Sequence, residues 1–169
     1  MITLTDILVA MDFSEPSMAA LTYGRALARN FRSRLHVVHV IGSIPSVFLG
    51  AEAYVVSVPD LQRQIEDAAR QELDALPLDD EDVPLIRRVL ITSNVPHAAI
   101  VDYATRKHIG LIVAGTHGRG AVTHALLGSV AERIVRTAPC PVLTVRNPEQ
   151  EFVVPDTVAA DGTGVNREV

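Results

Sequence analysis

Between residues 115 and 129 the chain reads Gly115-Thr116-His117-Gly118-Arg119-Gly120, then Ala121 to Leu127, then Gly128-Ser129. Glycines at 115, 118 and 128 let backbone N–H groups approach a ligand with no Cβ in the way. Ser129-x-x-Glu132 has the spacing of a capping box, so a helix is expected to start there. Unpaired amides and the positive end of a helix dipole at such a start receive phosphate, and Arg119 adds charge. The same residues have a plainer use, with Gly115 and Gly118 shaping a tight exit from a strand and Ser129 only capping. Spacing alone leaves both uses open. A second polar turn, Met11-Asp12-Phe13-Ser14-Glu15, follows an earlier apolar run.

Two better-known phosphate patterns fail on their own terms. There is no Gly-x4-Gly-Lys-Ser/Thr, so the loop is not of the Walker type. Gly118-x-Gly120 lacks its third glycine, because Thr123 stands in that place, and it does not open a βαβ unit with an acidic residue about 20 positions on. The remaining reactive side chains have bland readings. His36 and His39 fall on opposite faces of one strand and cannot share a metal, so they read as core or edge histidines. His97 and His108 belong to helix ends, and His117 and His124 have no zinc-like companions. Cys140 between two prolines offers no thiolate site. Asp79-Asp80-Glu81-Asp82 reads as a solvated loop. No Ser/His/Asp arrangement can be assigned from order alone, so hydrolase chemistry has no positive support.

The elements that must position the two loops alternate in period. Runs rich in β-branched residues occur at 6–11, 35–41, 85–91, 111–114 and 142–145. Near-continuous apolar runs such as Leu111-Ile112-Val113-Ala114 suit a parallel strand covered on both faces. Between them lie helical stripes: Ala20, Gly24, Leu27 and Phe31, with Arg25, Arg29 and Arg32 on another face, then Leu61, Ile65, Ala69, Leu73 and Leu76, with Asp60 placed to cap. A third helix is expected from Pro96 to a stop at Gly110, and a fourth from the Ser129 box to Pro139. Such alternation, with right-handed crossovers, predicts one doubly wound parallel sheet of five strands with helices on both faces. In such sheets ligands bind beyond the carboxyl ends of strands, where the winding reverses. Both polar loops fall there.

Composition bounds the rest. The 169 residues carry a formal charge of −5, and 48% of them are hydrophobic, enough for one core but without the clustered basic surface that nucleic acid requires. A single cysteine cannot form an intramolecular disulfide. No basic n-region precedes the first apolar run, and the most apolar stretch, 40–58, is broken by Gly42, Pro45, Gly50 and Glu52, so neither a signal peptide nor a membrane helix is expected. A cytoplasmic location follows as an expectation. The domain is expected over 1–146, with 147–169 as an acidic tail too poor in apolar surface to offset its ordering entropy. A docked tail, through Phe152-Val153-Val154, is the alternative. The connection from Gly42 to Pro59 is long enough to be a lid, a contact segment or a variable surface excursion.

Gly115-x2-Gly118-x9-Gly128-Ser129, followed by Val-Ala-Glu-Arg-Ile-Val-Arg and by Pro139-Cys140-Pro141-Val142-Leu143-Thr144-Val145, resembles the universal stress protein family. The likeness extends to residues 7–14 and 35–40 and covers about 2–146. It implies the strand order 3-2-1-4-5 and a nucleotide-binding protein of the ATP-binding branch. Carried over position by position, Gly115, His117, Gly118, Gly128, Ser129 and Val130 hold ribose and phosphates. Asp12 lies near ribose and adenine, Ala10 and Ala114 line the pocket, and Val40 offers a main-chain contact to adenine. Gly110 stands where the family often has an acidic residue, and Thr92 to Pro96 departs from its Gly-Pro turn. Neither change touches the phosphate motif.

The resemblance implies an ATP-binding module, with Mg2+ as a companion of the phosphates whose protein ligands are unassigned. Occupancy would alter a surface read by an unidentified protein partner. The rival classes are a slow Mg-dependent ATPase using Asp12 and a nucleotide-independent dimeric scaffold. The motif has no phosphate-reaching lysine, which favours the module. A homodimer is expected through the last strand, 142–145, because an apolar edge strand needs covering or pairing.

Overall fold

The computed structural model describes residues 2–44, 58–78, 85–116 and 127–146. Within them the chain runs β1 (Asp6–Met11), α1 (Glu15–Phe31), β2 (Arg34–Ile41), α2 (Val58–Asp74), β3 (Ile86–Thr92), α3 (Pro96–Arg106), β4 (Leu111–Gly115), α4 (Ser129–Thr137) and β5 (Val142–Val145). The strands form one sheet in the order β3-β2-β1-β4-β5, every neighbouring pair parallel. This is the doubly wound arrangement that the alternating periods predict. Most of the Gly42–Pro59 connection, the 79–82 acidic run, the tail after Arg146, and His117, Gly118, Arg119, Gly120 and His124 lie outside the described residues.

Each strand of the sheet's centre sends alternate side chains into two cores. Ile7, Val9 and Met11 of β1 pack with Leu35 and Val37 of β2 against Ala20, Leu21 and Ala28 of α1 and Leu73 of α2. Leu8, Val38 and Ile112 face the opposite way, against Ile100, Tyr103 and Ala104 of α3 and Ile134 of α4. Burial on both faces is why β1 and β4 read as continuous apolar runs. The helix α1 lies so close to β1 that a Cβ at Gly24 would stand 2.3 Å from a methyl of Val9.

Several boundaries differ from expectation, each for a local reason. The helix α3 ends at Arg106 rather than running to Gly110, because His108 turns left-handed at φ 53° and the Ile109 amide returns to the Ala104 carbonyl. Asp60 does not cap α2; the helix already starts at Val58, and Asp60 pairs instead with Arg63 at 3.3 Å. The buried stripe of α1 is Ser17, Ala20, Leu21, Gly24 and Ala28, which leaves Phe31 40% exposed. The strand β2 starts one residue before the expected run and β3 is shifted by one residue, within the ordinary scatter of element ends.

Candidate functional site

The carboxyl ends of β1 and β4 are neighbours at the centre of the sheet, with Ala10 opposite Ala114. The next strand outward from β1 is β2, whose Val38 lies opposite Ala10. Val40 follows two residues on, so Ala10, Val40 and Ala114 share the sheet face covered by α3 and α4.

Beyond β1, Asp12 is half-buried and its carboxylate is held by its own loop. Oδ1 accepts the Ser14 amide at 3.0 Å and also the Ser14 hydroxyl. Ser14 in turn caps α1 by accepting the Ser17 amide at 3.4 Å. Asp12 is therefore aimed by Ser14 through both its amide and its hydroxyl, a role that sequence reasoning passed over. The signal was present in Asp-x-Ser, a spacing at which a carboxylate takes the backbone N–H two residues on.

Beyond β4, Gly115 is a packing glycine. A Cβ there would meet the Pro16 carbonyl carbon at 2.8 Å, because the start of α1 crosses directly over the strand end. The Thr116 amide donates to the Val145 carbonyl at 2.8 Å, and the Thr116 carbonyl accepts the Gly128 amide at 2.6 Å. The chain thus leaves β4 at Thr116 and returns to the same residue at Gly128, which seats the start of α4 at the strand's end.

The expected capping box does not form. Gly128, not Ser129, is the N-cap, with its carbonyl accepting the Glu132 amide at 2.9 Å. Ser129 is the first helical residue and is exposed, while Glu132 turns to Arg136 at 3.1 Å. Gly128 has φ −68° and ψ 152°, a conformation open to any residue. Its backbone angles do not demand glycine; what it supplies is the lack of a side chain over the amides of Ser129, Val130 and Ala131, which have no intrahelical acceptors. The N-terminus of α1 is closed by Ser14, whereas among the described residues no side-chain hydrogen bond caps α4.

The geometry gathers Ala10, Asp12, Val40, Ala114, Gly115, Gly128, Ser129 and Val130 around one end of the sheet, while His117 and Gly118 lie outside the described residues. The two strand histidines divide between the ends of the sheet, His39 standing beside the turn that carries Asp12. His36 is buried at the opposite end, and His39 Nδ1 donates to the Met11 carbonyl at 2.8 Å. Burial pushes the Cys140 thiol up, only partly offset by a backbone hydrogen bond from Ile112. Among the described residues no three His, Cys, Asp or Glu side chains come together as a metal site, and no helix is long and apolar enough to cross a membrane.

The sequence model of the universal stress protein family matches residues 3–146. A universal stress protein of Thermus aquaticus is 36% identical over 140 residues, 83% of this chain and 97% of that one. Another from Methanocaldococcus jannaschii is 31% identical over 145 residues, 86% of this chain and 84% of that one. Among solved structures, a universal stress protein of Lactobacillus plantarum superposes with a TM-score of 0.66 at 25% identity, covering 86% of this chain and all, 100%, of that one. Two further universal stress proteins share the fold at 20% identity. One was solved in complex with cAMP, with a TM-score of 0.55 over 87% of this chain and 100% of its own. The other, from Archaeoglobus fulgidus, was solved in complex with dAMP, with a TM-score of 0.54 over 86% and 99%.

Proposed function

The chain belongs to the universal stress protein family, and on that premise we propose that it binds ATP beyond β1 and β4 and works as a nucleotide-dependent stress-response or regulatory module. The observation that carries this reading is the start of α4, which no side chain of the described residues caps and which the Thr116–Gly128 hydrogen bond fastens to the end of β4. Amides of Ser129 and Val130 face outward there with the positive end of the helix dipole behind them, which suits a phosphate. The Gly128 amide is already used by Thr116, so Gly128 contributes room rather than a donor. Ala10, Ala114 and the Val40 backbone form the side of the crevice assigned to adenine, and Asp12 the side assigned to ribose. His117 and Gly118 complete the phosphate loop in this reading. Mg2+, when it accompanies the nucleotide, supplies neutralising charge to the phosphates; no protein ligand is assigned to it. The adenine nucleotides named for two proteins of the same fold support the choice of base.

The module reading has ATP occupancy alter a surface read by a protein partner, in a homodimer paired through β5. That strand is the sheet edge, with Leu143 36% exposed and Thr144 exposed. A free nucleotide as ligand agrees with a cytoplasmic location. The test is calorimetry of ATP binding to wild type and Gly128→Val, with circular dichroism as the control for folding. Wild type is expected to bind and the variant to lose binding while its spectrum stays native. No binding by wild type, or unchanged affinity in the variant, overturns the assignment.

A further inference from the structure

At the end of the sheet opposite the crevice, three buried polar side chains from three elements form a chain. His36 on β2 is 2% exposed and faces α3 and α4. Its Nε2 lies 3.0 Å from Asp6 Oδ1 at the start of β1, and its Nδ1 lies 2.8 Å from the hydroxyl of Tyr103 on α3. Arg34 grips the same carboxylate with both ends of its guanidinium, Nε to Oδ1 at 2.8 Å and Nη2 to Oδ2 at 2.9 Å. An ionised carboxylate only accepts, so Nε2 carries the imidazole hydrogen. Nδ1 is then an acceptor, and the Tyr103 O–H donates to it.

A second imidazole proton disturbs that arrangement. The Asp6 charge is already matched by Arg34, so an imidazolium would add an unmatched charge to a buried site. Arg87, opposite His36 in the β2–β3 register, adds positive charge from the third strand, and Arg106 lies near Tyr103 on α3. A proton on Nδ1 also turns that bond round, with the Tyr103 oxygen accepting, and takes from the buried Tyr103 hydroxyl hydrogen the acceptor it has in the neutral state, which weakens the tie of α3 to β2. We propose that Asp6, His36 and Tyr103 form a proton-sensitive latch that holds α3 against the amino-terminal end of the sheet and loosens it when His36 is protonated.

Burial holds the His36 imidazole below its ordinary value, against the hydrogen bond and charge of Asp6, with Arg87 and Arg34 acting in the same direction as burial. Burial tends to raise the Asp6 carboxyl, but hydrogen bonds from Arg34, His36 and Thr5 outweigh it and the net shift is downward. Both groups therefore bind a proton less readily folded than unfolded. The His36 contribution is fully present above the unfolded histidine value, about 6.5, and is lost as pH falls from there through the folded value. Asp6 adds a loss of the same sign at lower pH, below the unfolded value of 3.8. Inside the His36 window each unit of acidification lowers the folding equilibrium constant up to about tenfold.

The test uses the full-length protein. Nitrogen-15 spectra of the histidine rings are expected to show His36 as the Nε2–H tautomer at pH 7.5, with a titration midpoint below that of a free histidine. Hydrogen exchange, corrected for intrinsic rates, is expected to accelerate in α3 more than in α1 as pH falls from 7.5 to 5.5. Tyr103→Phe keeps the ring but removes the donor to Nδ1, so the His36 midpoint rises and the excess acceleration in α3 shrinks severalfold. Asp6→Asn keeps an acceptor for Nε2–H and removes the charge that favours imidazolium, so the midpoint falls further. An Nδ1–H tautomer, a midpoint at or above about 6.5, or α3 protection that tracks α1 at every pH overturns the latch. Midpoints unchanged in both variants overturn it as well.

Discussion

Phe13 turns left-handed at φ 61° with its ring edge-on to His39, the two ring centroids 4.7 Å apart. A bulky residue in that backbone region is strained, and strain persists only where the surroundings over-determine it. Here His39 is itself fixed by the Met11 carbonyl, and the Phe13 amide lies 3.3 Å from the Met11 sulfur. The turn that aims Asp12 is therefore held from β2 as well as from its own loop.

Separating ring from strain gives the first prediction. Phe13→Ala loses the ring and keeps the unfavourable angle, whereas Phe13→Gly loses the ring and relieves the angle. The glycine variant should be the more stable of the two by about 1 kcal/mol. Urea denaturation of both variants checks it, and an alanine variant as stable as the glycine one removes the strain.

The second prediction concerns Gly115. Its added Cβ meets backbone atoms of Pro16 at 2.8–2.9 Å, and backbone cannot swing aside as a side chain can. Gly115→Ala should destabilise the fold by about 1–3 kcal/mol, the usual cost of overpacking. Equilibrium denaturation measures this. A neutral result would mean that α1 and β4 separate at little cost.

Turnover supplies the third. A regulatory module should hydrolyse ATP slowly or not at all, so multi-turnover phosphate release with Mg2+ should fall well below about 1 s−1. A faster rate that disappears in Asp12→Asn would make the protein an ATPase. Removing residues 147–169 should leave nucleotide affinity essentially unchanged, since that segment follows the last strand and carries net charge of the same sign as phosphate.

The fourth tests pairing through β5. Carbonyls of Pro141 and Val145 accept amides from Ile112 and Thr116, so the alternate backbone groups of Val142 and Thr144 face the open edge. Thr144→Pro removes an outward donor without breaking the ladder to β4. Light scattering should find a dimer for wild type and for residues 1–146, and a monomer that still binds ATP for Thr144→Pro. A dimeric proline variant would move the interface elsewhere.

The hydrophobic periods along the chain were enough to set five parallel strands wound on both faces by helices, while their order came with the family resemblance. The strands and their winding depend on side-chain alternation and chain handedness, both of which are local properties. The glycine and serine residues at 115, 128 and 129 were legible as a group but not in their separate roles. Gly115 answers to Pro16, about a hundred residues away in the chain, and Gly128 rather than Ser129 became the N-cap because its amide found the Thr116 carbonyl. His36 is the clearest case. Its alternation placed it on one face of a strand, but nothing near it in sequence announces Asp6 on the neighbouring strand or Tyr103 on a helix 67 residues later. Partners of that kind are chosen by the register between strands and by the angle at which a helix lies across them. A sequence read one element at a time carries no record of either, because both are decided by how all the elements pack together.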